Sequence, residues 1–310
     1  MTQEGTSPAG PDQPLEIAWI GTGVMGASMA SHLLAAGHRL RVSTRTRSRA
    51  QALLDRGARW CSTPADAAEG ADLAISIVGL PEDVEAVHLG PRGTLAAQRP
   101  PRRIIDMTTS SPALAVRLAE VARARGVGSL DAPVSGGDVG ARQATLSIMV
   151  GGERIDFDAV KSVLARMGRT IVLQGPAGRG QHAKMVNQIL IAGTMMGLCE
   201  GLRYAERAGL DAATVLESVS VGAAGSWSLQ NLAPRILRGD FAPGFRIDHF
   251  LKDLRIALEE ANRLGLDLPA LALARRLYEV ALAQGLGDRG THGLHLTLGA
   301  TGGSSSVPEP

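Results

Sequence analysis

Short apolar runs alternate with stretches of helical periodicity over the first half of the chain. This alternation predicts buried strands separated by helices, which is typical of a parallel sheet with helices on both faces. We therefore expect an α/β fold with a doubly wound sheet. The predicted strands cover 15–20, 39–43, 58–61, 71–78, 102–107, 128–133, 145–152 and 170–175, and an early helix covers 48–56.

Strand patterns stop after about residue 178, and the remaining chain has helical spacing throughout. We expect helices at 180–208, 211–220, 226–238, 248–264 and 269–285, which makes the second half all-α. The predicted organisation is a disordered tail (1–14), an α/β domain (15–178), an all-helical domain (179–300) and a second tail (301–310). The 180–208 helix would be roughly 44 Å long, so we expect it to link the domains or to pack against a second subunit.

A glycine motif follows the first predicted strand and opens the first helix. Its sequence, "GTGVMG", has the form Gly21-x-Gly23-x-x-Gly26. In a strand–turn–helix context this is a dinucleotide fingerprint, in which the helix N-terminus presents free N–H groups to the pyrophosphate. A tight strand-to-helix turn without any ligand is the alternative interpretation.

The end of the second predicted strand carries no acidic residue. An NAD-preferring site normally has Asp or Glu there for the ribose diol, but this chain has "STRTR", with Thr44, Arg45 and Thr46. A guanidinium flanked by hydroxyls suits a 2′-phosphate. We therefore expect NADP rather than NAD, the alternative being a solvated basic turn.

Lysine is rare in this chain, and its positions are informative. Of 32 Lys and Arg residues only three are lysines, so Lys184 and Lys252 stand against a background of arginine. Lys can give up a proton when its pKa is lowered, whereas Arg cannot. On a helix Lys184, Asn187 and Gln188 share one polar face, which suggests a lined cleft and a general acid–base. A partly exposed polar stripe is the alternative.

The segment Ser135-Gly136-Gly137 follows a predicted strand. A strand end that opens into two glycines exposes backbone N–H groups, which suits a small carboxylate; a flexible loop is the alternative.

Composition excludes several other classes of function. With 310 residues, 45% hydrophobic and 20% charged, and a net charge of +2, the chain is typical of a globular protein without a strong field for nucleic acid or membrane. Two cysteines and scattered histidines match no metal pattern, so we expect none. No apolar run reaches the length of a membrane span, the first residues do not form a targeting signal, and we expect a reducing, cytoplasmic location.

Several ordered motifs together resemble the β-hydroxyacid dehydrogenase family, which includes 3-hydroxyisobutyrate dehydrogenase and tartronate semialdehyde reductase. The resemblance runs from about 15 to 300 and is carried by the glycine motif and by "GLPED" (79–83), "DMTTSSP" (106–112), "DAPVSGG" (131–137), "GRGQHAKMVNQ" (178–188) and "FLKDL" (250–254). It implies a Rossmann-type domain followed by an all-α domain. It further implies that Thr109 meets the nicotinamide side, that Lys252 closes on the cofactor and that the enzyme is a homodimer or larger.

Two residues depart from the family pattern. Ala144 stands where the family often has Gly, and Glu85 stands where some relatives place an Asn that bonds the cofactor. An imine reductase of the same architecture is an alternative function, but Lys184 argues against it. A catalytically silent NADP-binding module is another, and the intact lysine and Ser-Gly-Gly segment argue against that.

We therefore expect an NADP(H)-dependent oxidoreductase that interconverts a small β-hydroxy acid and its aldehyde or semialdehyde. Lys184 and Asn187 are the expected catalytic residues. The expected cofactor contacts are Gly21, Thr22, Gly23, Val24, Met25, Gly26, Thr44, Arg45, Thr46, Leu80, Pro81, Thr109 and Lys252. The expected substrate contacts are Ser135, Gly136, Gly137, Lys184, Asn187 and Gln188.

Overall fold

The computed structural model describes residues 13–299. Apart from residues 13 and 14, the two predicted tails lie outside this range. Contacts within the chain define two compact units, the first ending at Gln181 and the second beginning at His182. The sequence pattern had placed this boundary near 178.

The first unit is built on a nine-stranded sheet. Its strands are β1 (Glu16–Ile20), β2 (Arg39–Ser43), β3 (Arg59–Trp60), β4 (Leu73–Ser76), β5 (Arg103–Asp106), β6 (Gly128–Asp131), β7 (Val134–Ser135), β8 (Leu146–Gly152) and β9 (Gly168–Gly175). The spatial order is β3-β2-β1-β4-β5-β6-β8-β7, with β9 beside β8. Six strands from β3 to β6 run parallel, as the alternating pattern predicts.

The far edge of the sheet departs from the expected parallel arrangement. Strand β8 pairs antiparallel with β6 and β7, and β9 then runs parallel to β8. The short strand β7 was not predicted from the sequence. Because β7 is the antiparallel partner of β8, the chain reverses direction there instead of crossing over the sheet.

Helices cover both faces of this sheet. They are α1 (Val24–Ala35), α2 (Gln51–Leu54), α3 (Pro64–Ala68), α4 (Pro81–Leu89), α5 (Pro112–Ala124), α6 (Gly137–Gln143) and α7 (Arg154–Leu164). Alternate residues of β1 serve the two faces: Ile17 and Trp19 join the core beneath α1, while Ile20 joins the core beneath α4 and α5. The predicted 48–56 helix is a 3₁₀ turn (Arg47–Ala50) followed by α2.

The second unit is all-helical. Its helices are α8 (Arg179–Arg207), which begins in the first unit, α9 (Ala212–Val219), α10 (Trp227–Asn231), α11 (Ala233–Leu237), α12 (Ile247–Arg263), α13 (Pro269–Ala283) and α14 (Leu294–Gly299). The predicted 226–238 helix is divided in two, because Pro234 has no N–H to donate and therefore lies in the first turn of α11. Phe250 and Tyr278 meet edge to face at 5.0 Å in the core.

Helix α8 is long and apolar enough to cross a membrane by length and composition alone. Core helices of globular proteins pass the same test, and Met195 and Cys199 of α8 are fully buried among the other helices of the second unit. These contacts favour a core helix.

Candidate functional site

Two glycines of the fingerprint are required by the fold itself. Gly21 follows β1 with a φ of +99°, and a Cβ there would collide with the carbonyl oxygen of Ile77. A Cβ on Gly26 would collide with the carbonyl oxygen of Gly21, so α1 packs against the strand only without a side chain. The turn between β1 and α1 is therefore tight for internal reasons.

Gly23 is different, because nothing in the first unit requires it to be glycine. Its φ of −66° suits any residue, and a Cβ built there meets no atom within 4 Å. The space beside Gly23 fits a ligand that must approach the backbone closely, as a pyrophosphate does.

The N-terminus of α1 is open to an anion. No side chain caps this helix end, and its first turn contains no acidic residue. Thr22 donates a hydrogen bond from Oγ1 to Oγ1 of Thr44 at 3.0 Å, which ties the glycine turn to the end of β2. Free N–H groups and the helix dipole there suit the phosphates of a dinucleotide.

Arg45 extends from the end of β2 with 84% of its side chain exposed. Its Nη1 lies 3.3 Å from Oδ1 of Asp83 in the first turn of α4. Asp83 also accepts a hydrogen bond from the N–H of Leu80 at 3.2 Å. The strand end lacks an acid, as the sequence shows, but the fold brings an acid to Arg45 from a distant segment that the strand pattern does not reveal.

Glu85, at the position that departs from the family pattern, forms an ion pair with Arg117. The two side chains are 2.7 Å apart and line a groove of about 280 Å³ between α4 and α5, together with Pro81. This pairing gives Glu85 a partner within the protein.

The segment Ser135-Gly136-Gly137 differs from the expected open strand end. Ser135 belongs to β7 and pairs with Ser147 of β8, and α6 begins at Gly137. Gly136 and Gly137 have φ values of +131° and +61°, which favour glycine. The two glycines therefore form a sharp turn from a short strand into a helix.

The first turn of α8 is fixed to the carboxyl edge of the sheet by residues that sequence reasoning missed. Asp131, at the end of β6, accepts hydrogen bonds from the N–H groups of Gly178 at 2.7 Å and Gln181 at 2.8 Å. The Gln181 side chain accepts from the N–H of Ser110 and donates to the carbonyl oxygen of Thr108. The predicted nicotinamide segment is thus bonded to the start of the lysine-bearing helix.

Lys184 lies in the second unit with only 6% of its surface exposed. Burial lowers the pKa of its ammonium from 10.5 to about 8; the charge of Asp253 opposes this shift and the charge of Lys252 adds to it. An amine with a pKa near neutrality can both donate and accept a proton under physiological conditions.

A chain of polar contacts surrounds this lysine on α8 and α12. Asn187 donates to the side-chain oxygen of Gln188 at 2.7 Å, and Gln188 donates to Asp253 at 2.7 Å. Lys252 Nζ lies 3.0 Å from the other oxygen of Asp253. Gln188 and Asp253 are buried, so this chain orders Asn187 and Lys252 from beneath.

Two further features bear on the chemistry. Between residues 13 and 299, no group of three or more His, Cys, Asp or Glu side chains is arranged to hold a metal ion. Trp227, the first residue of α10, is 59% exposed and is not a core residue.

Comparison with known proteins agrees with this geometry. Residues 16–175 match the model of the NAD-binding domain of 6-phosphogluconate dehydrogenase. Residues 178–296 match the model described as the NAD-binding domain of NADP-dependent 3-hydroxyisobutyrate dehydrogenase.

Individual relatives cover nearly the whole chain. The uncharacterised oxidoreductase YkwC of Bacillus subtilis is 50% identical over 90% of this chain and 97% of its own length. A probable mitochondrial 3-hydroxyisobutyrate dehydrogenase-like protein of Arabidopsis thaliana is 49% identical over 91% of this chain and 85% of its own. The structure of Mycobacterium tuberculosis 3-hydroxyisobutyrate dehydrogenase with L-serine superimposes with a TM-score of 0.84 at 30% identity, covering 93% of this chain and all of that one. The chain belongs to the β-hydroxyacid dehydrogenase family and is an NAD(P)-dependent oxidoreductase acting on hydroxyl groups.

Proposed function

We propose that this enzyme is an NADP(H)-dependent oxidoreductase that interconverts a small β-hydroxy acid and its aldehyde or semialdehyde. Lys184 is the general acid–base. The observation that carries this proposal is a buried lysine whose pKa is lowered to about 8 beside an ordered Asn187.

Residues of the first unit would hold the dinucleotide. Gly21, Gly23 and the open N-terminus of α1 would hold its pyrophosphate, and Thr44, Arg45 and Thr46 would hold the 2′-phosphate. When bound, the nicotinamide would supply or take up the hydride. Arg45 is exposed and its contact with Asp83 is long, so its guanidinium is available to a stronger anionic partner.

Proton transfer is the task of Lys184. With a pKa of about 8, most Lys184 side chains carry a proton at pH 7, which suits donation to a carbonyl oxygen. In the reverse direction the neutral amine accepts the proton of the alcohol. Asn187 orients the same oxygen. Gln188 has no exposed surface and is bonded at both ends of its amide, so we assign it to the support of Asn187 and not to substrate contact.

The substrate carboxylate binds at Ser135, Gly136 and Gly137. The turn into α6 exposes backbone N–H groups, which hold an anion without adding a second titrating group.

The substrate class is tested with a panel of small β-hydroxy acids and semialdehydes, followed by nicotinamide absorbance. We expect turnover of an acid and a loss of at least tenfold in kcat/KM on its methyl ester, because the N–H groups lose a charged partner. Equal rates on acid and ester would reject the carboxylate assignment.

Cofactor preference is tested on the same substrate. We expect kcat/KM for NADPH to exceed that for NADH by tenfold or more, and Arg45→Asp to narrow or reverse the ratio, because the substitution replaces the phosphate-binding cation with an anion. Arg49→Asp, a nearby change of the same charge, should affect the ratio much less. A wild type that prefers NADH would contradict the assignment of Arg45.

A further inference from the structure

Three adjacent strands of the first unit end in a row of buried polar residues. Ser76, Asp106 and Asp131 are the last residues of β4, β5 and β6, and they are paired in register across the sheet. Their exposed fractions are 0%, 4% and 4%. Two carboxyl groups in such a place are costly unless they are fully hydrogen-bonded.

At one end of the row, a buried histidine forms a hydrogen bond with Ser76. Ser76 donates from Oγ to Asp106 at 2.8 Å, so its only proton is used and it must accept from Nε2 of His88, also at 2.8 Å. His88 then accepts at Nδ1 from Thr94 at 2.8 Å. Burial lowers the pKa of His88 to about 4, so the ring stays neutral in this single tautomer. Ser76 has no exposed surface, which excludes a nucleophilic role.

The other end of the row is the start of α8. Asp131 binds backbone N–H groups of the first turn there, and Gln181 in that turn binds the 108–110 segment. The packing is close: a Cβ on Gly180 or on Gly151 would collide with Asp131 or with the neighbouring backbone. Small displacements of Asp131 are therefore transmitted to both segments.

A small cavity lies beside the two carboxyl groups of the row. Its volume is about 10 Å³, and Asp106, Ser110 and Asp131 line it, together with Ser129 and Leu130 of β6 and apolar residues of α4 and α5. Ser110 is 1% exposed, and among the described residues its hydroxyl has no hydrogen-bond partner. That volume holds one water molecule, and an internal water needs two to four polar partners.

We propose that this cavity binds one internal water that joins Asp106, Ser110 and Asp131, and that Asp106 thereby positions the 108–110 segment. The hydrogen bonds balance. The Ser110 hydroxyl donates to the water, and the water donates its two protons to the carboxyl groups, which otherwise only accept. Burial raises the pKa of both carboxyls, that of Asp106 to about 6, as expected for acceptors removed from bulk water.

The consequence for catalysis rests on the proposed function and on the expectation, implied by the family resemblance, that Thr109 meets the nicotinamide side. Lys184 follows Gln181 by three residues on α8. With the water in place, one continuous chain of hydrogen bonds runs from Thr94 to Gln181. It fixes the 108–110 segment and the first turn of α8. Asp106 acts through its neighbours and is a positioning residue.

The first test does not depend on any substrate. A high-resolution crystal structure of the full-length protein should show a water within hydrogen-bond distance of Ser110. In Ser110→Val, whose added methyl group fills the cavity, amide hydrogen exchange should rise about fivefold or more over 108–110 and 178–181. Ser228→Val makes the same change at a buried serine of the second unit and should leave both segments unaffected. A dry cavity, or unchanged exchange in Ser110→Val, would overturn the proposal.

The second test uses whichever substrate the wild type turns over. Asp106→Asn should lower kcat about tenfold with KM nearly unchanged, and it should raise the isotope effect with 4-deuterated NADPH, because hydride-transfer geometry worsens. A purely structural Asp106 would lower the melting temperature and leave the isotope effect unchanged, which contradicts us. If Asp106→Asn does not fold, Ser110→Ala replaces it. An inactive wild type with the water present would reject the proposed function and leave the internal water established.

Discussion

At the scale of single residues, Lys184 illustrates how burial determines chemistry. An exposed lysine has a pKa more than two units higher and would remain charged through the physiological range. The charge of Asp253 raises the pKa of Lys184 and so opposes the effect of burial, whereas the charge of Lys252 lowers this pKa further. The balance of these three groups gives an amine that titrates near pH 8.

The substitution Lys184→Arg separates proton transfer from charge. We expect kcat to fall by 10² to 10⁴, because a guanidinium cannot give up a proton, while NADPH still binds. In the reduction direction the wild type should lose activity as pH rises through about 8, and the variant should lack this limb. Steady-state kinetics and pH profiles measure both effects. Raised KM with kcat within a few fold would mean that Lys184 only holds a carboxylate.

Ala144 is the one residue other than glycine with a positive φ among those described, at +53°. It ends α6 in the left-handed region, where a Cβ costs about 1 to 2 kcal/mol. Glycine at this position removes the strain. It also lowers the free energy of unfolding by about 0.5 to 1 kcal/mol, because an unfolded chain with glycine has more conformational freedom to lose.

We therefore expect Ala144→Gly to raise the free energy of unfolding by about 0.5 to 1 kcal/mol. Urea denaturation measures this change. Ala165 ends α7 at a φ of −64°, so Ala165→Gly should destabilise. If both variants lose stability, no strain is stored at Ala144.

At the scale of elements, periodicity predicted the helices and strands with a strong apolar pattern. It missed the strand that is defined by its tertiary contacts. Strands β1, β2 and β8 and helices α8, α12 and α13 follow from apolar spacing. Strand β7 has two residues and exists because it pairs with β8, which no local pattern records. Lys184 was found because lysine is rare, and Asn187 because it shares the helical face of Lys184. Asp83, Asp131 and Gln181 act through contacts that are distant in sequence.

One face of α8 is apolar and uncovered within the described chain. Val186, Leu190 and Tyr204 are 58%, 66% and 74% exposed, and they follow a single helical stripe with three glycines between them. A Cβ on any of those glycines, Gly193, Gly197 or Gly201, meets no atom within 4 Å. We expect a second copy of the chain to cover this stripe.

Gly197→Leu should therefore yield a monomer without unfolding the protein, because the site is open within one chain but would prevent close approach of a second helix. Light scattering at micromolar concentration measures the size. Glu120→Leu adds the same side chain to an exposed position of α5 and should leave the oligomer intact. A monomeric wild type would contradict this prediction.

At the scale of the whole molecule, two buried groups oppose each other in the pH dependence of stability. The pKa of His88 is lowered to about 4, so its stabilising contribution is full above pH 6.5 and is lost as pH falls. The pKa of Asp106 is raised to about 6, so the folded state takes up that proton first and gains stability as pH falls through 6.

As the pH falls from 7 to 5, His88 lowers the free energy of unfolding by about 2 kcal/mol and Asp106 raises it by about 1 kcal/mol. His88→Gln should therefore make the protein lose less stability over this range than the wild type, and Asp106→Asn should make it lose more. Urea unfolding at the two pH values gives the differences. If both variants change their free energy of unfolding between the two pH values as the wild type does, neither group titrates as described.

Gly23 has a consequence for how sequence variation in this protein is interpreted. Because the fold constrains Gly21 and Gly26 but not Gly23, a screen for folding alone, such as protease resistance of a variant library, should deplete substitutions at positions 21 and 26 and accept alanine or serine at 23. A screen for nucleotide retention should deplete all three. The difference between the two screens would mark the residue whose small size serves only the bound cofactor.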